Sequence, residues 1–237
     1  MSTVIRPTRD RAALLLPGAN LTDLVDPAPA RRWASTWLYP LTGPEQREVR
    51  AAWAAWIVHG GNARAAAITL DRPARTVADQ VETACTLIDP DADWVCADRA
   101  RGWLALAVTT PTRSRLLRPA SITAPAERPG WWRLLVDHVV AAWASERLAA
   151  VLPGSGTDLA AYLNRVAGQT GHPAGPVAVA AWLDTSKCWR ALSAELGLTG
   201  RHARHLHRLL DHHLGNQAAT PGGEYQLRLA ADALALR

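Results

Sequence analysis

Apolar residues recur along most of this chain at three- and four-residue spacing, the period of a helix with one buried face. Val49, Trp53, Trp56 and Ile57 share a face of a predicted helix over Glu45–Val58, which Gly60-Gly61 ends as a C-cap would. A short helix then starts at Gly61 or Asn62 and runs to Leu70. Asp71-Arg72-Pro73 is the turn, with proline at the entry to the next helix, where its missing N–H is tolerated. That next helix carries Val77, Val81, Ala84 and Ile88. Asp89-Pro90-Asp91 breaks it, and a helix over Asp98–Val108 follows. Upstream, Leu21–Val25 is a short helical candidate among Pro17, Pro27 and Pro29. Trp33, Trp37 and Leu38 mark a helix from Arg31 that stops at Pro40 and Gly43.

Beyond residue 130 a similar pattern returns. Trp131–Val151 is predicted helical, Pro153-Gly154-Ser155-Gly156 breaks it, and Asp158–Val166 is helical again. Gly168–Pro176 reads as a loop. Helices over Val177–Asp184, Trp189–Leu196 and His202–Leu214 follow, the last with Ala203, Leu206, Leu210 and Leu214 in helical register. Gly215 caps it and Tyr225–Leu236 closes the chain. No period-two alternation exceeds a few residues, so the expected fold is all-α.

The two stretches are related by one shift, from Trp56 to Trp182, that needs no gap. It brings Arg64 onto Arg190, Ala65 onto Ala191, Leu70 onto Leu196 and Arg75 onto Arg201. Trp33-Ala34-Ser35 is echoed by Trp143-Ala144-Ser145, which extends the duplication upstream with a longer insert in the second copy. Each copy has the makings of a helix-turn-helix. Small residues, Ala67 and Ser193, stand where two helices cross closely, and Asp71 and Gly197 suit the tight turn. Leu70 and Leu196 plug the core, and Val77 and Ala203 anchor the last helix from beneath. The expected architecture is two tandem helix-turn-helix units, winged-helix-like and of three to five helices each, at residues 30–108 and 131–237. An extension covers residues 1–29. Residues 109–130, with Pro111, Pro119, Pro125 and Pro129, form the expected linker.

Composition adds three things. With 49% hydrophobic residues the chain can build a sizeable core, and 11 Trp with no Phe assign its large aromatic positions to tryptophan. Cys85, Cys96 and Cys188 are odd in number and widely spaced, as in a reducing cytosol. Met1-Ser2-Thr3-Val4-Ile5-Arg6-Pro7 lacks a signal-peptide core, and no apolar run is long enough for a membrane span, so a cytoplasmic protein without membrane contact is expected. The net charge of +5 comes almost wholly from arginine, Lys187 being the single lysine. Arginine suits phosphate and guanine edges, although a high-GC genome explains the total equally well. Placement is therefore more informative than the count.

The unit resembles the C-terminal helix-turn-helix domain of the PucR/CdaR family of bacterial transcription regulators. In the first copy the resemblance rests on Ala30-Arg31-Arg32-Trp33, Tyr39-Pro40-Leu41, Trp56 through His59-Gly60-Gly61-Asn62, Thr76-Val77 and Asp89-Pro90-Asp91. In the second it rests on Trp182-Leu183-Asp184, Leu196-Gly197-Leu198, Ala203-Arg204 and Leu214-Gly215. It implies a DNA-binding transcription regulator whose partner is double-stranded DNA. Family members carry a large sensory domain ahead of one such unit, whereas the reading here is two units and no sensor. The first copy also departs from the family's basic recognition helix, with Asp79 and Glu82 among its exposed positions.

The DNA-facing candidates follow from position. Arg201, Arg204 and His205, with Thr199 and His202 beside them, stand at the end of the third helix that meets base edges in a docked motif. Arginine on guanine is worth ~1–3 kcal/mol per good pair. Arg208, one turn on, is placed for phosphate, as are Arg190 and Arg64 on the second helices. Arg72 and Arg75 are the basic residues with which the first copy would touch the DNA backbone. A solvated basic face is the plain alternative. The histidine cluster His202–His213 lacks a zinc-ligand spacing, and no phosphate loop, paired-carboxylate motif or triad is present. The reading is therefore a protein that is not an enzyme and has no cofactor. The competing reading is a repurposed unit that binds a protein partner, or pairs as a homodimer, in place of DNA. The acidic first recognition helix and the adjacent Trp131-Trp132 motivate it.

Overall fold

The computed structural model describes residues 20–110, 130–170 and 175–236, the side chains of 168–170 excepted. These residues are all-α, with twelve α-helices and no strand among them. The first half holds α1 (Leu21–Leu24), α2 (Pro27–Trp37), α3 (Arg47–Val58), α4 (Ala63–Leu70), α5 (Ala74–Ile88) and α6 (Cys96–Thr109). The second holds α7 (His138–Arg147), α8 (Asp158–Thr170), α9 (Gly175–Asp184), α10 (Trp189–Glu195), α11 (Gly200–Leu214) and α12 (Pro221–Ala235). No helix among the described residues is long and apolar enough to cross a membrane. Most of the expected linker, and residues 1–19 of the expected N-terminal extension, lie outside the described residues.

The duplication is carried down to single backbone bonds. The shift that takes Trp56 to Trp182 places α5 on α11 residue for residue, and α4 and α6 on α10 and α12 within a residue at their ends. Gly60 and Gly61 leave α3 with φ of +67° and +87°. Ser186 and Lys187 leave α9 in the same left-handed region, at +52° and +57°. The N–H of Gly61 donates to Trp56 O and that of Lys187 to Trp182 O, each at 2.9 Å. The turns inside the two helix pairs agree as well. Asp71 and Gly197 both have positive φ, and Arg72 N–H donates to Ala67 O as Leu198 N–H does to Ser193 O, both at 3.0 Å. Side-chain caps fix where α4 and α11 begin: Asn62 Oδ1 accepts from Ala65 N–H, and Thr199 Oγ1 from His202 N–H.

Helix α8 is where the copies differ. Its 13 residues have no counterpart in the first half, and it packs on α11 and on the turn Ala149–Val151. It runs past the expected end at Val166 to Thr170, and α9 starts at Gly175, so residues 168–170 and 175–176 of the expected loop are helical, while 171–174 lie outside the described residues. The expected continuous helix over Trp131–Val151 is also divided. A single turn at Trp131–Leu134 precedes α7, because the Asp137 carboxylate accepts from Val139 N–H at 2.8 Å and starts a new helix. Helix α11 begins at Gly200 rather than His202, set by the Thr199 cap.

One hydrophobic core runs through both halves. It includes Trp33, Trp53, Trp143, Trp182 and Tyr225 together with Leu21 and Leu24. Trp33, Trp37, Trp53, Trp56 and Trp94 form a ladder of ring contacts at about 6 Å. Contacts across the halves are reciprocal. Helices α6 and α12 pack on each other; α1 lies on α7, and the turn Trp131–Leu134 lies on α2. The start of α6 meets the end of α9, where Asp184 Oδ1 accepts from Ala97 N–H at 2.9 Å. The start of α12 meets the end of α3, where Tyr225 O–H donates to Ile57 O at 2.8 Å. Such exchange of equivalent contacts is the pattern of an isologous pair, here within one chain. A partly buried network reinforces it: Arg228 pairs with Asp184 at 3.2 Å and with Asp232. Burial pushes the Asp232 carboxyl up, against the pull of Arg228.

Candidate nucleic-acid interface

Helix α11 owes its orientation to a narrow apolar stripe. Ala203, Leu206, Leu210 and Leu214 are buried in the core, as the helical register predicts, and Leu209 is buried beside them. The opposite face is left to water and carries Arg201, Arg204, His205, Arg208, Asp211 and His212. Among the described residues, Arg190, Arg201, Arg204 and Arg208 form no ion pair with a carboxylate. Four guanidinium groups thus stand on or beside one helix without an ion-pair partner, with Asp211 the one acid on that face.

Two of them are held by a ring. The Arg190 and Arg204 guanidinium carbons lie 5.1 and 4.9 Å from the centre of the Trp189 indole. Arg204 Nε also donates to Gly200 O at 3.0 Å, which sets the side chain back along the first turn of α11. A Cβ at Gly200 would stand 3.5 Å from the Trp189 ring, so the indole lies against the start of α11. Trp189 and Tyr162 were not among the candidates read from sequence. Neither has a repeat partner of its kind: Ala63 stands in the first copy where Trp189 stands in the second.

Tyr162, on α8, secures the flank. Its O–H donates to His202 O at 3.1 Å, and its ring meets the His205 ring edge-on at 4.6 Å. The histidine cluster is thereby dispersed into separate tasks. His202 is half-buried under α8. His207 Nδ1 accepts from Trp182 Nε1–H at 3.1 Å and faces inward. His213 Nε2 meets Asp158 Oδ1 at 2.6 Å and pins α8 to α11, which holds the Asp158 carboxyl below the usual carboxylate range. His205 and His212 alone of the five are exposed. Among the described residues no three His, Cys, Asp or Glu side chains are placed to hold a metal ion.

The first copy presents a different surface. Arg72 is drawn to Glu48 at 3.4 Å and to Gln80 at 3.4 Å, while Gln80 in turn donates to Glu48. Arg64 and Arg75 are exposed, but α5 also exposes Asp79 and Glu82. Ile68 is 77% exposed on α4, beside an open groove of about 540 Å³ lined by Arg64, Ala67, Asp71, Pro73 and Ala74. Without an equivalent of α8, the flank of α5 leaves Thr76, Thr83 and Leu87 in water.

Trp131 and Trp132 divide as well. Trp131 packs on the core with Arg101 4.5 Å above its ring, on the turn that meets α2 across the halves, whereas Trp132 is exposed under Arg133. Compared with known proteins, the chain matches no family model, no curated protein and no solved structure.

Proposed function

We propose that this protein is a cytoplasmic DNA-binding transcription regulator of the PucR/CdaR type, built from tandem helix-turn-helix units. In this reading α11 is the principal reader of double-stranded DNA. The observation that carries it is the outward face of α11. Arg201, Arg204 and Arg208 share it with His205 and His212, and no carboxylate among the described residues pairs with the arginines. A helix of this kind enters the major groove by its N-terminal end, which puts Arg201 and Arg204 nearest the bases and Arg208 nearest the backbone. Thr199 contributes by capping the helix that carries them. The first unit contributes weaker backbone contacts through Arg64 and Arg75; Arg72 is engaged by Glu48 and Gln80.

Anisotropy titrations with labelled genomic duplexes test this at two salt concentrations. Neutralising about four phosphates gives a slope near −3.6 in log affinity against log salt. Replacing Arg201 and Arg204 together by alanine is expected to weaken binding at least tenfold. Unchanged affinity in that variant, or no salt-dependent binding by the intact protein, sinks the reading. A second reading, capture of a protein partner by the first unit, is favoured by exposed Ile68 above its groove. One specific protein recovered on the intact chain, lost on Ile68→Ser, in a protein that ignores DNA, would select it.

A further inference from the structure

The Trp189 ring is an element of the basic surface that neither the duplication nor the helix-turn-helix pattern explains. It stands at the first position of α10, half-buried, with two guanidinium groups about 5 Å from its centre. One cation over an indole is attractive. Two cations drawn to the same indole repel each other, and among the described residues neither pairs with a carboxylate. The arrangement is thus incomplete in the free protein: a shared anion relieves the repulsion while the ring and the Gly200 carbonyl keep both side chains in place. In the first copy the corresponding residues are Ala63, Arg64 and Ala78, so that unit has neither the ring nor the second arginine.

We infer that Trp189, Arg190 and Arg204 form a phosphate clamp at the junction of α10 and α11, with Trp189 as a positioning residue that sets both arginines on the DNA backbone. This rests on the DNA-binding reading and narrows it. Arg204 is assigned to phosphate rather than to a base, and Arg201 becomes the nearest base reader. The indole acts through the arginines: it removes side-chain freedom that each would otherwise lose on binding.

The test is a salt titration of duplex binding by the full chain and four variants. Trp189→Ala is expected to weaken binding about tenfold at 100 mM salt and to flatten the salt slope by roughly one to two units, as the loss of one or two phosphate contacts requires. Trp189→Phe, which keeps a ring, is expected to stay within about twofold of the intact protein. Arg204→Ala is expected to lose about one unit of slope, and adding Trp189→Ala to it should cost less than Trp189→Ala costs alone. Thermal melts separate misfolding from lost contacts, and Arg204→Ala, at an exposed site, carries the test if Trp189→Ala fails to fold. Arg204→Ala with an unchanged slope, or Trp189→Phe no better than Trp189→Ala, overturns the clamp while leaving DNA binding intact. Absence of binding by the unmodified protein overturns both.

Discussion

At the scale of single residues, the two copies of the repeat serve as references for each other. Ser186 and Lys187 occupy left-handed backbone where the first copy has Gly60 and Gly61. Lys187 earns its place by pairing with Glu224 and by donating to Ala218 O at 2.7 Å, whereas Ser186 is exposed. Ser186→Gly is therefore expected to raise stability by about 0.5–1 kcal/mol in a denaturant titration. The cysteines differ sharply. Burial pushes the Cys85 and Cys96 thiols up to about 12, while Cys188 is exposed and the N–H groups of Ala191 and Arg190 hold its thiol below the ordinary value. Alkylation at pH 7.5 followed by peptide mapping is expected to modify Cys188 and leave the other two unreacted. Asp158 gives a pH test. Its carboxyl is lowered by the hydrogen bond to His213, so its contribution to stability is present above the ordinary carboxylate range and fades as pH falls through the lowered value. A carboxyl-carbon NMR titration should place its midpoint below that of an exposed aspartate, and His213→Ala should return it to normal.

At the scale of elements, α8 is the informative case. It covers the flank of α11 that is open on α5, and the hydrogen bonds of Tyr162 to His202 O and of His213 with Asp158 mark the seam. Tyr162→Phe is expected to cost about 1 kcal/mol of stability, and Leu163→Ala, in the same apolar seam, about 2–4 kcal/mol. Most helices were legible in the sequence because their apolar stripes are long and periodic, and α5, α9 and α11 begin or end at glycine, proline or a capping side chain. The internal repeat was legible because the shift from Trp56 to Trp182 keeps Trp, Arg and Leu in register and sets small or turn-forming residues opposite one another, Ala67 with Ser193 and Asp71 with Gly197. The sites that failed to show in sequence depend on contacts between distant segments. Asp137 dividing one helical run, Arg72 captured by Glu48, and Tyr162 seated on His202 are each settled by packing that periodicity does not encode. Trp189 was missed because a lone tryptophan at a helix start reads as core; an adjacent arginine and a second one turn into the next helix were the available signal.

At the scale of the whole molecule, the chain is built as an internal pair. The α6–α12 contact, the exchanged α1 and Trp131–Leu134 segments, and the Asp184–Arg228–Asp232 network join both halves through one large shared core, beside a smaller cluster of Ala52, Ala66, Ala67, Val77 and Val81 in the first half. Far-ultraviolet circular dichroism and tryptophan fluorescence are therefore expected to report one coincident thermal transition, and Asp184→Ala, which leaves Arg228 with Asp232 alone and uncaps α6, should lower its midpoint without dividing it. The pair is symmetric in scaffold and unequal in surface. Helix α11 exposes Arg201, Arg204 and Arg208 against the single acid Asp211, with Arg190 beside them on α10, while α5 exposes Arg75 against Asp79 and Glu82. From this inequality comes the central claim, that the second unit binds duplex DNA and the first contributes little. The most direct measurement compares duplex affinity, across 50–200 mM salt, of two double variants: Arg201→Ala with Arg204→Ala on α11, and Arg72→Ala with Arg75→Ala at the first unit. Loss of at least tenfold in the α11 variant with less than about threefold in the other is the expected result. Equal losses, or a larger loss in the first unit, would contradict it.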